Sequence, residues 1–150
     1  MKTEPSVFSL ADLKACPDST AEWEGVRNYQ ARNFMRDEMK KGQRVLFYHS
    51  ATKVPAIVGT AVVAREAYPD DSAWNPESPY FDPKSGPDNP RWVMVDLRFE
   101  QEFPRPLPLE ELRKMPQLKS MMLLRRGMRL SIQPVEKSEF EAVLKAAGAK

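Results

Sequence analysis

The sequence is short of the residues that most often carry chemistry on their own. It holds one cysteine, Cys16, and one histidine, His49. A single cysteine excludes an internal disulfide and fits a reducing compartment. One Cys and one His cannot supply a zinc site, so no metal is expected, and no cofactor either. Glycine is sparse, six in 150 residues. None of GxxxxGK[ST], GxGxxG or GxSxG occurs, which removes the common phosphate loops, dinucleotide folds and nucleophile elbows. No apolar run approaches the ~20 residues of a membrane helix. The opening residues, MKTEPSVFSL, lack the apolar stretch of a secretory signal. These absences favour a cytoplasmic location, nuclear in a eukaryote. Charge of one sign is also lacking: 23 Lys and Arg face 21 Asp and Glu, for a net charge of +2. A protein that coats a long nucleic-acid backbone is usually more basic, so any nucleic-acid contact should be a close grip on one nucleotide.

Proline, by contrast, is plentiful, fourteen in all. Pro69, Pro76, Pro79, Pro83, Pro87 and Pro90 mark an irregular loop between two patterned segments. Ser9 can cap a short helix over LADLKA with Leu10 and Leu13 inward. Asn28 can cap a second over YQARNFMRDEM, with Tyr29, Phe34 and Met35 sharing part of a face and Gly42 at the stop. Residues 44–50 and 56–68 read as strands, with Gly59 marking a bulge or a close backbone approach. Residues 91–103 alternate, with Val93, Val95, Leu97 and Phe99 on one face. Helices are expected at PLEELRKM and QLKSMMLLRR, a strand at 129–135, and a last helix capped by Ser138 and closed by Gly148. Strands interleaved with short scattered helices predict an α+β fold, a mostly antiparallel sheet or small barrel with peripheral helices. One domain over 1–150 is expected.

The densest polar patterning runs from Trp23 to Ser50. Trp23, Tyr29 and Tyr48 offer π surfaces. Asn28, Gln30 and Ser50 offer donors and acceptors, while Arg27, Arg32 and Lys2 offer positive charge. That set suits an extruded base: stacking on its face, hydrogen bonds on its edge, cations near its phosphates. Each residue also has a plainer role. Asn28 is accounted for by capping, Tyr48 and Trp23 by a core, Arg32 by a surface ion pair, His49 by a structural hydrogen bond. Cys16 with His49 is the one arithmetically possible thiol–imidazole pair, in a Pro-flanked loop that nothing orients.

At these residues the sequence resembles the EVE family, of the thymocyte nuclear protein-like type within the PUA-like superfamily. The likeness lies in KTEP (2–5), WEGVRNYQARNF (23–34), FYHS (47–50), AYPD (67–70), NPRWVMVDL (89–97), LPLEEL (107–112) and RLSIQPV (129–135). It implies a small curved β-barrel, related to YTH domains, that recognises a modified base such as 5-methylcytosine. Carried over, the pocket would draw on Lys2, Thr3, Glu4, Trp23, Val26, Asn28, Tyr48, His49, Ser50, Ser131, Gln133 and Pro134. Arg27, Gln30, Arg32, Arg125, Arg126 and Arg129 would hold the backbone. Family members usually carry aromatic and apolar residues before the Lys-Ser/Thr-Glu-Pro motif, whereas here Met1 directly precedes Lys2. Either the natural start lies upstream of Met1 or the first strand is almost missing, which would leave an open edge and a doubtful wall around Thr3.

The reading is a non-enzymatic monomer whose partner is DNA or RNA bearing a modified base. Two alternatives stay open. One is an RNA- or nucleotide-processing enzyme using His49 with Lys2 or Glu4 as acid and base. The other is a protein-interaction module that uses loop 69–90.

Overall fold

The computed structural model describes residues 1–150. Five strands form one sheet: β1 (Lys2–Thr3), β2 (Thr20–Glu22), β3 (Arg44–His49), β4 (Ala56–Pro69) and β5 (Val93–Pro108), in the order β1-β3-β4-β5-β2. Only β1 against β3 is parallel; every other pairing is antiparallel. The long β4–β5 ladder shifts register repeatedly, between Ile57 and Gly59, Thr60 and Ala61, Val63 and Arg65, and Arg65 and Tyr68. Such bulges bend a strand and increase its twist. The sheet curves but does not close. The expected barrel is thus corrected to an open sheet, because β1 and β2, its two edges, do not pair with each other.

Strand alternation divides the core in two. Val45 and Phe47 of β3 face one cluster with Leu10 and Leu13 of α1 (Leu10–Ala15), Ala31 and Met35 of α2 (Tyr29–Asp37), Val63, Val95 and Leu97. Leu46 and Tyr48 face the other. It contains Ile57, Phe103, Leu107, Leu112 of α3 (Leu109–Arg113) and Val143, Leu144 and Ala147 of α4 (Lys137–Ala147).

Ser9 and Asn28 cap as expected. The Ser9 side chain accepts from Asp12 N–H at 3.1 Å and Asn28 Oδ1 from Ala31 N–H at 3.0 Å. Gly59 is a close approach: a Cβ there would stand 2.3 Å from the Gln101 carbonyl oxygen. Gly148 closes α4 in the left-handed region.

Other expectations are corrected. Glu136, not Ser138, caps α4, through a reciprocal pair with Glu139. Helix α2 buries Ala31 and Met35 while Tyr29 stays 50% exposed, and it ends at Asp37, short of Gly42. QLKSMMLLRR forms no α-helix; Pro116–Leu118 and Met122–Leu124 are single 3-10 turns. Residues 129–135 form no strand. They pass beside β1, which is two residues long and makes one backbone bond to them, Lys2 N–H to Ser131 O at 2.8 Å. Strand β1 is short as expected, yet Thr3 is held in register with His49 and its carbonyl accepts from Ser50 N–H.

Candidate nucleic-acid interface

A cavity of about 490 Å³ opens between the two unpaired edges, where a closed barrel would have had its seam. Lys2, Thr3 and Ser131 line one side; Glu22 to Asn28 line another, with Val7, Phe8 and Tyr80. The volume falls within the ~300–1,000 Å³ typical of small-ligand sites.

Trp23 follows β2, and its backbone N–H still donates to Val95 O at 2.7 Å. Its indole meets Phe8 and Phe47 edge-to-face, with centroids 6.1 and 5.7 Å apart. Asn28 uses Oδ1 for the helix cap, so its amide nitrogen is left without a protein partner. Thr3 Oγ1 donates to Phe8 O at 2.8 Å, which ties β1 to the next turn. Lys2 Nζ makes one long bond, 3.3 Å to Met128 O, and burial pulls its pKa below the usual lysine range. Glu24 stands in the lining without an ion pair. Burial, then the nearby Asp70, Glu22 and Asp71 carboxylates, push its pKa up against the opposing pull of Arg27.

Arg27 lines the cavity but holds the protein, not a phosphate. Its Nε and Nη2 donate to Tyr80 O at 3.0 and 2.7 Å, Nη2 also to Ser72 Oγ, and Nη1 to Val26 O and to Asp70 Oδ2 at 2.9 Å. All five guanidinium hydrogens are therefore engaged. Asp70 is fully buried. Burial raises its pKa, but bonds from Ser72, Gly25 N–H and Arg27 outweigh that and hold it low. This staple presses Tyr80 against Gly25, where a Cβ would lie 2.6 Å from the ring.

The other expected pocket residues stand elsewhere. Tyr48 points to the opposite face of β3, into the second core, because side chains alternate along a strand; burial raises its pKa. Gln133, whose Nε2 donates to Leu130 O, meets Tyr48 in a crevice of about 20 Å³ behind β1. Pro134 and Gln30 share a separate shallow groove beside α2. Glu4 is exposed in a turn, its carbonyl accepting from Val7 and Phe8. Ser50 bonds to the Thr3 carbonyl outside the cavity lining. His49 Nε2 accepts from Leu10 N–H at 3.1 Å, so the ring supports the start of α1, and burial lowers its pKa. Cys16 Sγ is bonded to Asp12 O instead of to His49. No group of three His, Cys, Asp or Glu side chains is placed to hold a metal ion.

Of the expected backbone-binding cations, Arg32 bonds only neutral oxygens, Asn33 Oδ1 and Arg91 O. Arg125, Arg126 and Arg129 are exposed, on the segment whose Met128 carbonyl accepts from Lys2 Nζ.

The EVE domain model matches residues 1–146. The chain belongs to the EVE domain family. Human thymocyte nuclear protein 1 is 45% identical over 161 residues, a match covering 96% of this chain and 71% of that protein. A solved Pseudomonas putida protein superposes on this EVE domain with a TM-score of 0.93 at 41% identity, covering 98% and 97% of the two chains. The human THYN1 protein, solved in complex with DNA containing 5-methylcytosine, gives a TM-score of 0.92 at 44% identity, covering 100% of this chain and 96% of that one. The expected PUA-like α+β architecture holds, with an open sheet.

Sequence reasoning missed Tyr80, Asp70, Glu22, Glu24, Phe8 and Val7 in and under the cavity wall. Glu24 and Gly25 sit inside the motif already singled out, so its spacing could have flagged them. Asp70 closes the AYPD stretch that carries part of the family resemblance, while nothing local marks Tyr80.

Proposed function

We propose that this EVE domain, acting as one unit over residues 1–150, is a non-enzymatic module. It binds nucleic acid and takes one modified base into the cavity beside Trp23. The observation that carries the reading is the meeting of an indole, an unpartnered Asn28 amide and the Lys2 and Ser131 side chains in one base-sized hollow. The complex of the human THYN1 protein with 5-methylcytosine DNA supports DNA as partner and a methylated cytosine as base. Carboxylates at Glu22 and Glu24 disfavour a phosphate inside and suit the exocyclic amine of cytosine, a donor. Burying the added methyl gives about 0.8 kcal/mol, and stacking about 1–3 kcal/mol per base. Phosphates would meet Arg32 and Arg125, Arg126 and Arg129, none of which forms an ion pair within the fold.

The enzymatic alternative finds little support. His49 is held below its ordinary pKa with its Nε2 already accepting a backbone hydrogen, and Glu4 lies outside the cavity. No helix is long and apolar enough to cross a membrane. The module would work where nucleic acid is met, in the cytoplasm or in a eukaryotic nucleus.

Asn28→Asp is the sharpest test. Aspartate caps a helix as well as asparagine does, so folding should be unchanged. The free amide donor, however, becomes a carboxylate oxygen. Titration of short oligonucleotides with and without 5-methylcytosine should show the preference lost in this variant and in Trp23→Ala. Undiminished preference in both variants would remove the cavity from the reading.

A further inference from the structure

Outside the cavity, Tyr29 is 50% exposed although it lies flat on the buried Trp92, with centroids 4.8 Å apart and planes 24° apart. The underlying indole is fixed, because Trp92 Nε1 donates to Asp82 Oδ2 at 2.7 Å. The Arg32 guanidinium stands 4.7 Å from the Tyr29 centroid and 5.9 Å from that of Trp92. Arg32 covers part of the Tyr29 ring, and half of the residue's surface stays open to solvent. Arg32 forms no ion pair: its acceptors are Asn33 Oδ1 and the Arg91 carbonyl, while Asp37, within reach of its charge, is bonded to Arg36. Tyr29 also follows Asn28 directly, and Asn28 lines the cavity. A backed aromatic ring, half open to solvent, with a cation free of any ion pair beside it and one residue from the cavity lining, has the chemistry of a single-strand stacking subsite.

We infer that Tyr29, backed by Trp92 and flanked by Arg32, is a second stacking platform that receives the nucleobase adjoining the one in the cavity, with Arg32 on the intervening phosphate. The inference rests on the proposed function and adds a contact to a base that is not itself selected. Stacking is sequence-tolerant, so this platform contributes affinity without choosing the neighbouring base.

The test uses trinucleotides with a central 5-methyldeoxycytidine, one with ordinary flanking bases and one with abasic flanks. Affinities are measured for the wild-type chain, Tyr29→Ala, Tyr29→Phe and Trp23→Ala. Tyr29→Ala is expected to weaken the ordinary trinucleotide about tenfold. It should leave the abasic-flanked one unchanged, and Tyr29→Phe should match wild type. Arg32→Gln should lower the salt slope of binding by about one. Equal weakening of both trinucleotides by Tyr29→Ala, or no weakening of either, would overturn the platform. Trp23→Ala reports separately on the cavity. If it leaves both affinities intact the cavity reading fails, while the abasic comparison still decides whether Tyr29 contacts a base.

Discussion

The wall running from Glu22 to Asn28 is clamped by five guanidinium hydrogen bonds, one of them an ion pair to the buried Asp70, and by an aromatic ring seated on Gly25. The wall made by β1 and Ser131 is held by main-chain bonds to β3, from Tyr48 N–H to Met1 O and from Ser50 N–H to Thr3 O, with one backbone bond to the 131 segment, one long lysine bond and the Thr3–Phe8 link. The first wall brings together residues 43 and 53 positions apart in the chain and engages all five guanidinium hydrogens of Arg27. The second is a two-residue strand beside a segment with no regular structure. One wall is thus fixed by a side chain reaching across the fold to a distant loop, the other mainly by main-chain pairing with β3.

The contrast can be broken most forcefully at Asp70. Asp70→Ala leaves Arg27 uncompensated and Gly25 N–H unpaired, and should lower stability by about 3–5 kcal/mol in urea unfolding. A loss near zero would show that the staple is ornamental. Gly25→Ala acts on the same wall from the backbone. It combines φ of 85° with a ring 2.6 Å from the new Cβ, and should cost about 1–3 kcal/mol by thermal melting while weakening base binding.

A smaller effect falls at His49, which steadies the start of α1 below Phe8. Burial holds its pKa under the ordinary 6.5, so as acid is added the unfolded chain takes up the proton first. The contribution is complete above about pH 6.5 and is lost as pH falls below that toward the folded value. The melting temperature should drop through that window, and His49→Gln should flatten the slope; an unaltered slope in the variant would assign it to carboxylates. Least consequential is Lys2→Met on the β1 wall. It removes one 3.3 Å bond and a partly desolvated charge, and stability should change by less than about 1 kcal/mol. A larger loss would mean that this wall is as firmly fixed as the other.

Features that depend on neighbours in the chain were legible before the fold was. The Ser9 and Asn28 caps, the strands around Phe47 and Val95 and the closing Gly148 all follow from local geometry, whereas Gly59 marked a tight spot whose neighbours, Gln101 and Leu10, are distant in sequence. Trp23, Val26, Asn28, Lys2, Thr3 and Ser131 do meet, as the motif implied. Tyr48 was misplaced, although the alternation of RVLFYH already puts it on the Leu46 side, away from Phe47. Arg27 was misassigned for another reason. An arginine in a binding motif looks the same whether its partners are phosphates or buried acceptors, and those acceptors come from a proline-rich loop with no periodic pattern.

Periodicity and capping residues were enough to determine an α+β chain with short helices around an antiparallel sheet, because caps and strand alternation are set within a few residues, and the resemblance of its motifs to the EVE family pointed to a hollow near Trp23. Only the tertiary structure decided that the sheet stays open, that the hollow occupies its seam, and which arginine is spent inside while another is left facing solvent. Those outcomes depend on where distant segments come to rest, and a guanidinium's role is set by whichever acceptor reaches it first.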